Sequence, residues 1–404
     1  MSDSDWISHF GLFDPLPDNL NQPLAQRYHG HQFQHYNADL GDGRGFLFAQ
    51  MRGEGGRLLD LGTKGSGQTP WSRRGDGRLT LLGGVREVLA TRYLQHLGVN
   101  TSKTFSLIET GEALERGDEP SPTRSAVMVR LSHSHIRFGT FQRQAYFENK
   151  ENLEALVDYC TKHFYPEAKT PGQLYEGVVK ASADTVASWM AAGFVHGVMN
   201  TDNMNITGES FDYGPYRFLP TLQSGHTAAY FDRTGLYAFA KQPEIMHWNL
   251  GQLAQSLSLI ADSDALVEGL NSFAEHYRDA LRRHVFRRLG ITPKETQEDI
   301  DFIMQTFQFL ENSQTPWPQF WHDWNGGAER ESNALKSPGK AFYIGEEFDA
   351  WYLKLKGFLS ETTGVETAVP ASLIYEEIGE LWAPIAEHDD WSKFHTKLKT
   401  YVQN

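Results

Sequence analysis

Apolar residues recur with different periods along the chain, and the change divides it into two regions. In the first region, short apolar runs at 40–52, 57–64, 103–110 and 125–131 predict strands, and the first of them follows a glycine-rich turn. Residues 79–99 have helical spacing, with an apolar stripe that includes Val85, Val88, Leu89 and Tyr93. The first forty residues contain several Pro and Asn, which predicts an irregular lead-in.

Helical periodicity dominates the rest of the chain. It predicts helices at 151–164, 171–194, 243–260 and from about 263 to 311, and two or so more near the end. Residues 312–345 are rich in Asn, Gly, Pro and Trp, which favours loops. The order predicts an α+β fold with two lobes, a strand-rich N-lobe over 1–145 and a helical C-lobe over 146–404.

Composition excludes several classes of protein. The net charge of −14 argues against a protein that coats nucleic acid, although a few local Arg and Lys could still hold one nucleotide. Cys160 is the only cysteine of the 404 residues, which excludes an intramolecular disulfide and a cysteine-rich zinc site. The acidic N-terminus resembles no signal peptide, and no apolar stretch approaches the ~20 residues of a membrane helix. We therefore expect a cytoplasmic protein with no membrane or nucleic-acid partner.

A glycine-rich turn, a lysine and a glutamate occur in a suggestive order. The turn GDGRG holds Gly41, Gly43 and Arg44, the strand 57–64 ends at Lys64, and Glu87 lies in the following helix. A lysine that grips phosphates needs an anionic partner to orient it, and a helix over the strand can supply one. Alternatively, both charges are exposed and the turn is an ordinary hairpin turn. The order of the three features favours the first interpretation.

Arginines and histidines add further candidates. Arg130 ends a predicted strand, and Arg137 follows seven residues later. Guanidinium groups suit a triphosphate because they offer several hydrogen-bond donors. From the sequence alone, exposed surface arginines are at least as compatible with these positions. Two His-x-His pairs, at 29 and 31 and at 133 and 135, have no third metal ligand at a zinc-like spacing. We interpret these histidines as structural.

The segment HGVMNTDNMNITGESFDYGP, residues 196–215, supplies the remaining groups. Asp202 and Asn203 are adjacent and Asp212 follows ten residues later. Carboxylate and carboxamide oxygens are ligands that Mg²⁺ prefers, and a carboxylate that does not bind metal can accept a proton. The alternative is a pair of polar turns. The preceding turn, lysine and glutamate occur in the order that protein kinases use, which favours a metal-and-base segment. In kinases, however, four residues lie between the corresponding Asp and Asn.

At this level of detail the chain resembles the selenoprotein O family of kinase-fold protein AMPylators. The resemblance covers residues 28 to 257 in uninterrupted order. The matching blocks are YHGHQF (28–33), LGDGRG (40–45), LGTKGSGQTPWSRRGDGR (61–78), GGVREVLATRYLQHLGV (83–99), VMVRLSHSHIRFGTF (127–141), HGVMNTDNMNITG (196–208), DYGPYRF (212–218) and QPEIMHWNLGQLAQSL (242–257).

The resemblance implies a protein-kinase-like fold that binds ATP in a flipped orientation and transfers AMP to Ser, Thr or Tyr hydroxyls of proteins, releasing pyrophosphate. It implies that Asp202 is the general base and that Asn203 and Asp212 hold Mg²⁺ or Mn²⁺. The implied nucleotide-binding residues are Gly41, Gly43, Arg44, Lys64 with Glu87, Asp76, Gly77, Arg130, Arg137 and Asp212.

Two alternatives to AMP transfer remain open, and the sequence differs from many family members in one respect. The residues do not select the base, so uridylylation stays open, as does a pseudokinase scaffold that binds nucleotide without turnover. Many members of the family end in a Cys or selenocysteine motif, whereas this sequence contains Cys160 alone. We therefore expect no regulation by an intramolecular disulfide.

Overall fold

The computed structural model describes residues 1–117, 119–364 and 369–401, and shows a mixed α/β protein. Backbone contacts divide the chain into two compact units. The first unit comprises 1–182, 198–214 and 246–272, and the second comprises 183–197, 215–245 and 273–404. Every candidate site residue of the sequence analysis belongs to the first unit.

The first unit is built on an antiparallel sheet. A small hairpin, β1 (Gly30–Gln32) and β2 (His35–Asn37), precedes it. The sheet contains β3 (Leu47–Arg52), β4 (Leu58–Lys64), β5 (Leu79–Thr80), β6 (Lys103–Leu114) and β7 (Thr123–Ser132). Strand β7 pairs with β4, β5 and β6, and its register with β4 places Lys64 opposite Met128 and Gly62 opposite Arg130. Because side chains alternate along a strand, Lys64 and Arg130 lie on the same face of the sheet.

Helices complete the first unit. They are α1 (Asp3–Phe10), α2 (Leu81–His96), α3 (Phe138–Tyr146), α4 (Lys150–His163), α5 (Pro171–Ala192), α6 (Gln242–Leu257) and α7 (Ser263–Asn271); α5 ends in the second unit and α6 begins in it. The prediction of helices at 79–99, 151–164, 171–194 and 243–260 is confirmed within a few residues. Helix α3 was not predicted.

The prediction of an irregular lead-in is wrong for residues 3–10. Ser2 caps α1 with its hydroxyl and Asp5 completes a capping box, which satisfies backbone N–H groups of the first turn. Phe10 is buried and packs against Phe48 and Phe105 of the sheet. Tertiary packing on the sheet therefore stabilises a helix that is too short to be stable alone.

The second unit has a helical core. It contains the short strands β8 (Phe194–Val195) and β9 (Arg217–Phe218) and the helices α8 (Phe273–Leu289), α9 (Gln297–Ser313), α10 (Trp317–Asp323), α11 (Glu331–Ala334), α12 (Glu346–Leu355), α13 (Tyr375–His388) and α14 (Ser392–Thr400). The prediction of loops over 312–345 is wrong where α10 and α11 lie. Trp317 and Trp324 from this stretch are buried in the core with Trp351. Among the described residues, no helix is long and apolar enough to cross a membrane.

Candidate active site

Asp202 lies in a tight turn that the β1–β2 hairpin holds in place. The turn is a single 3₁₀ turn, Thr201–Asn203. The backbone N–H of His31 donates to Thr201 Oγ1 at 2.7 Å, and that of Phe33 donates to Asn200 Oδ1 at 3.1 Å. These bonds join the YHGHQF segment to the residues just before Asp202. We call residues 200–203 the catalytic turn, because the family resemblance implies that Asp202 is the general base.

The carboxylate of Asp202 is buried and incompletely paired. Asp202 is 8% exposed, and its Oδ1 has no hydrogen-bond partner in the part of the chain that the structure describes. Arg137 Nη1 donates to the Asp202 backbone carbonyl at 2.9 Å. Burial raises the pKa of Asp202 to about 6, although Arg137 acts in the opposite direction. A buried carboxylate with an unused acceptor is suited to receive a proton.

Three cationic side chains converge on Asp212. Its Oδ1 lies 3.2 Å from Lys64 Nζ and 3.3 Å from Arg130 Nη1, and its Oδ2 lies 3.4 Å from Arg137 Nη1. Burial alone would raise the pKa of Asp212, but Arg130, Lys64 and Arg137 outweigh it and hold that pKa well below its usual range. Asp212 also has a left-handed backbone, with φ of 64°. Strained backbone of this kind persists where surrounding contacts enforce it, often at functional sites.

The predicted Lys–Glu pair forms inside the first unit. Lys64 Nζ donates a short hydrogen bond to Glu87 Oε2, and both side chains are almost completely buried. Burial lowers the pKa of Lys64, while Glu87 and Asp212 counteract it. Arg130 Nε lies 3.6 Å from the other oxygen of Glu87. Glu87 on α2 and Asp212 thus hold the lysine and Arg130 in one cluster.

A cavity of about 650 Å³ opens beside this cluster. Its lining includes Arg130, Arg137 and Asp212, together with the predicted loop residues Gly41, Gly43, Arg44, Asp76 and Gly77. The structure therefore brings these residues together, with Lys64 and Glu87 directly behind Asp212. Sequence reasoning missed four further arginines of the lining, Arg73, Arg74, Arg78 and Arg116, and the aromatic ring of Trp71. The segment WSRRGDGR, residues 71–78, was the only signal for the first three arginines and Trp71, and Arg116 had none.

Close backbone contacts explain the glycines at the mouth of the cavity. A Cβ at Gly41 would lie 2.4 Å from the Trp71 ring, so only glycine lets the two segments meet. The side chain of Ser72 donates to the Gly43 carbonyl at 2.5 Å, and that of Thr69 donates to the Asp42 carbonyl at 2.6 Å. The two glycine-rich loops are thereby joined into one wall.

Arg116 orients the carboxylate of Asp76. It donates from Nη1 to Asp76 Oδ2 at 2.8 Å and from Nη2 to Oδ1 at 3.1 Å. The backbone N–H of Arg78 donates to Oδ1 at 2.9 Å. A two-point guanidinium contact fixes the direction of a carboxylate as well as its position. Asp76 is therefore held in one orientation at the wall of the cavity.

Asn203 and Asp212 have the donor atoms for a hard divalent cation. Asn203 Nδ2 donates to the Val198 carbonyl at 2.9 Å, which leaves its carboxamide oxygen as the atom that can bind a cation. Among the described residues there is no group of three or more His, Cys, Asp and Glu side chains that could enclose a metal. Mg²⁺ usually takes one or two protein oxygens and completes its shell with water and phosphate. The oxygens of Asn203 and Asp212 are of the chemical kind that such a cation takes.

The two histidine pairs have structural contacts, and so does Arg124, which lies on β7 in the same strand as Arg130. His29 Nδ1 lies 2.8 Å from the Tyr36 hydroxyl, and His31 Nδ1 accepts from Gln142 Nε2 at 2.7 Å. His135 is buried and shares a hydrogen bond with Ser132. Arg124 forms a two-point ion pair with Glu109 at the surface. These contacts agree with the structural interpretation of the histidines.

Comparison with known proteins identifies the class of this chain. A protein from Trichormus variabilis is 43% identical over 428 residues, covering 99% of this chain and 86% of the relative. One from Synechocystis sp. is 44% identical over 421 residues, covering 98% and 87%, and one from Gloeobacter violaceus is 44% identical over 388 residues, covering 92% and 80%. All three carry the name protein nucleotidyltransferase YdiU. The chain is thus an enzyme of the nucleotidyltransferase class.

A family model narrows this class. The model described as "Protein adenylyltransferase SelO" matches residues 1–402. The chain belongs to the SelO family. The resemblance inferred from its motifs is thereby confirmed.

Proposed function

We propose that this protein transfers AMP from ATP to the hydroxyl of a Ser, Thr or Tyr side chain in a protein substrate and releases pyrophosphate. The observation that carries the proposal is the set of guanidinium donors around Asp212. Arg130 Nε and Nη1 lie near the carboxylates of Glu87 and Asp212 as ion pairs but form no hydrogen bond within the described part of the chain, and the buried Arg137 Nε has no hydrogen-bond partner there either. Buried donors are normally paired, so donors at a cavity wall indicate a polyanionic ligand.

The cavity suits a nucleoside triphosphate. Its volume lies within the ~300–1,000 Å³ of ordinary ligand sites. Aromatic rings hold one of its guanidinium groups in place, with Arg137 Cζ 4.5 Å from the centre of the Tyr28 ring and 5.0 Å from that of Phe211. Preorganised charges of this kind stabilise a pyrophosphate leaving group without reorganisation during the reaction.

Asp202 is proposed as the general base. The substrate hydroxyl oxygen forms a bond to the α-phosphorus, and the bond from that phosphorus to the bridging oxygen of the β-phosphate breaks. The hydroxyl proton passes to the Asp202 carboxylate, and the bonding electrons leave with pyrophosphate. The buried and unpaired Oδ1 supports this assignment.

Asn203 and Asp212 are proposed to hold Mg²⁺ or Mn²⁺. When bound, the cation would offset negative charge on the phosphates. Lys64, held by Glu87, neutralises the Asp212 side of the site and keeps that carboxylate ionised. The gathering of both aspartates near one arginine, Arg137, supports a shared site.

The proposal includes a kinase-like fold, with 1–145 as the strand-rich lobe and 146–404 as the helical lobe. The order of glycine loop, strand lysine, helix glutamate and two aspartates supports it. The adjacency of Asp202 and Asn203 in one 3₁₀ turn differs from the spacing of protein kinases. That difference supports transfer of a group other than the γ-phosphoryl group.

Labelled nucleotides test the reaction. Incubation with ATP labelled at the α-phosphate, a divalent cation and a protein mixture should label protein, while ATP labelled at the γ-phosphate should not. Labelling from the γ-phosphate alone would identify a kinase and overturn the proposal. Binding of nucleotide with no transfer of either label would favour a scaffold.

A single substitution tests the base. Asp202→Asn should reduce transfer by about 10²–10⁴-fold while nucleotide affinity stays within a few-fold of the unmodified protein. A matched control is Asp262→Asn at the N-cap of α7, where Asn caps as well as Asp and no change is expected. Full turnover in Asp202→Asn would show that another group takes the proton.

Transfer of UMP is the second candidate. The name that the relatives carry, protein nucleotidyltransferase, specifies no base. Competition between equal concentrations of α-labelled ATP and UTP separates the two reactions. Predominant labelling from UTP would replace adenylylation with uridylylation and leave the assigned site unchanged.

A further inference from the structure

An exposed aromatic surface lies next to the catalytic turn. We define it as Tyr36, Tyr146 and Phe147, which are 39%, 57% and 57% exposed, and call it the aromatic surface. The rings of Tyr36 and Tyr146 stack with centroids 5.7 Å apart, and Tyr146 contacts Phe147 at 5.1 Å. Beneath them, the ring of His29 contacts all three at 5.2–5.8 Å. Contiguous exposed rings of this kind are typical of interaction sites.

The same elements that carry this surface also hold the proposed base. Strand β1 donates to the catalytic turn through His31, and a Cβ at Gly30 would lie 3.2 Å from Asp202 Oδ1. Tyr36 follows on β2. Helix α3 begins just after Arg137, which bonds to the Asp202 carbonyl, and ends at Tyr146. The aromatic surface is therefore continuous with the backbone that surrounds the base.

Two arginines give this surface a positive charge. Arg143 Cζ lies 5.0 Å from the centre of the Phe147 ring, and Arg27 Cζ lies 5.0 Å from that of Trp71. Within the described residues, neither guanidinium has a carboxylate within 4 Å. Arg27 acts electrostatically on Arg143, and both arginines act on His29, where Asp39 has the opposite effect on the pKa of the imidazole. In a chain of net charge −14, unpaired arginines at one place indicate an acidic partner.

We propose that the aromatic surface, with Arg27 and Arg143, docks the segment of the protein substrate that carries the acceptor hydroxyl. The chemistry selects a segment with Asp or Glu close to the acceptor residue and an apolar or aromatic side chain that packs on Tyr146 and Phe147. Acidic side chains contact the arginines, and the hydroxyl faces the catalytic turn. This inference rests on the proposed transfer of a nucleotide to protein.

Direct binding tests the surface without requiring turnover. The probes are two short fluorescein-labelled peptides with a central Tyr, one flanked by Asp and Glu and the other by Lys. Fluorescence anisotropy should show tighter binding of the acidic peptide, with an affinity that falls as salt rises. Arg143→Glu should weaken its binding about tenfold or more and should improve binding of the Lys-flanked peptide. A merely structural role of Arg143 would produce no such reversal.

Matched variants separate packing from charge. Tyr146→Ala should weaken binding of both peptides several-fold. Tyr230→Ala, at an 85% exposed tyrosine of the second unit, should change neither, and Arg278→Glu, at an exposed arginine of α8, should not reverse the charge preference. Equal binding of both peptides, or indifference to Arg143→Glu, would overturn the inference.

Transfer assays distinguish failure of this inference from failure of the proposed function. With α-labelled ATP, the acidic peptide should be labelled with a higher kcat/KM than the Lys-flanked peptide, and Arg143→Glu should reverse that order. Labelling that ignores the flanking charge would overturn the docking surface and leave the proposed function intact. Absence of labelling, with charge-selective peptide binding preserved, would overturn the proposed function and leave the docking surface intact. Self-association of the chain that Tyr146→Ala abolishes would assign the surface to a second copy and overturn the inference.

Discussion

At the scale of single residues, Asp212 combines two constraints that can be separated by mutation. Its carboxylate neutralises Lys64, Arg130 and Arg137, and its backbone is left-handed, with φ of 64°. Asn tolerates this conformation whereas Ala adds about 1–2 kcal/mol of strain. Asp212→Asn and Asp212→Ala should both abolish cation-dependent transfer. The melting temperature should be highest for the unmodified protein, lower for Asp212→Asn and lowest for Asp212→Ala.

The ranking between the two variants is the discriminating result. Both remove the charge, so their difference reports the backbone strain together with the hydrogen bonds that the Asn carboxamide oxygen can still accept from Lys64 or Arg137. Equal melting temperatures for Asn and Ala would contradict both the strain of the left-handed conformation and the retained hydrogen bonds as contributions to stability. Retained cation-dependent transfer in either variant would remove Asp212 from the proposed ligand set.

Glu209 is a second buried carboxylate, and it makes stability depend on pH. It accepts from the His133 backbone at 2.7 Å and is 7% exposed. Burial raises its pKa from 4.5 to about 7, although His133, Arg57 and Lys103 act in the opposite direction. The protonated form is thus favoured in the folded protein, so this contribution to stability is complete below about pH 4.5 and is lost as pH rises through about 7.

Substitution by glutamine should remove that dependence. Glu209→Gln keeps an acceptor for the His133 N–H and cannot ionise. Its free energy of unfolding relative to the unmodified protein should rise by about 1–3 kcal/mol between pH 5 and pH 8. Denaturant titrations at the two pH values measure the difference, in which the titration of all other groups cancels. A constant difference would mean that Glu209 ionises normally in the folded state.

The cluster around Asp212 was largely predictable from sequence, whereas the remaining cavity arginines were not. The sequence places Lys64 on a strand and Glu87 on the helix that follows, and Asp212 comes after both. The contact between Lys64 and Glu87 therefore follows from packing of that helix on the sheet. Arg73 and Arg116 have no comparable spacing. They line the same cavity because two loops fold over each other, and that depends on tertiary contacts such as Trp71 on Gly41.

At the scale of elements, the loop 65–78 depends on one close backbone contact. Gly77 has φ of +71°, and a Cβ there would lie 2.2 Å from the Gly67 backbone, which cannot move aside without reshaping the loop. Gly111 on β6 has a similar φ of +77° but open space around it. Gly77→Ala should lower ATP affinity about tenfold or more, while Gly111→Ala should cost only about 1 kcal/mol of stability.

Calorimetric titration with ATP and chemical unfolding of both variants measure these effects. The Gly111 variant controls for left-handed strain, so any additional loss in the Gly77 variant reports the clash. Unchanged ATP affinity in Gly77→Ala would show that the shape of this loop does not matter for the nucleotide.

The loop-like composition of residues 312–345 led the sequence analysis to miss the helices there. In α10 and just beyond it, Trp317, Phe320, Trp321 and Trp324 follow helical spacing, but Pro316 and nearby Gly and Asn suggested loops. Pro316 instead precedes the first turn, where proline is tolerated. In the strand-rich region, by contrast, long apolar runs made β4 and β7 predictable because both are buried in the sheet.

At the scale of the whole molecule, charge is distributed unevenly. The chain has 37 Lys and Arg against 51 Asp and Glu. Within the residues that the structure describes, seven arginines and four carboxylates line the nucleotide-sized cavity. Positive charge is thus concentrated in a concave site on a chain that is acidic elsewhere. Such a distribution should favour a compact polyanion over an extended one, because the surroundings repel phosphates that remain outside.

Competition binding tests this selectivity. A fluorescent ATP analogue should be displaced by ATP and by inorganic triphosphate. A single-stranded oligonucleotide at the same phosphate concentration should displace it at least about tenfold less well, since only its terminal phosphates could enter the cavity. Raising the salt concentration should not improve displacement by ATP. Equal displacement by the oligonucleotide would show that the arginines form an open basic surface and would contradict the enclosed nucleotide site on which the proposed chemistry depends.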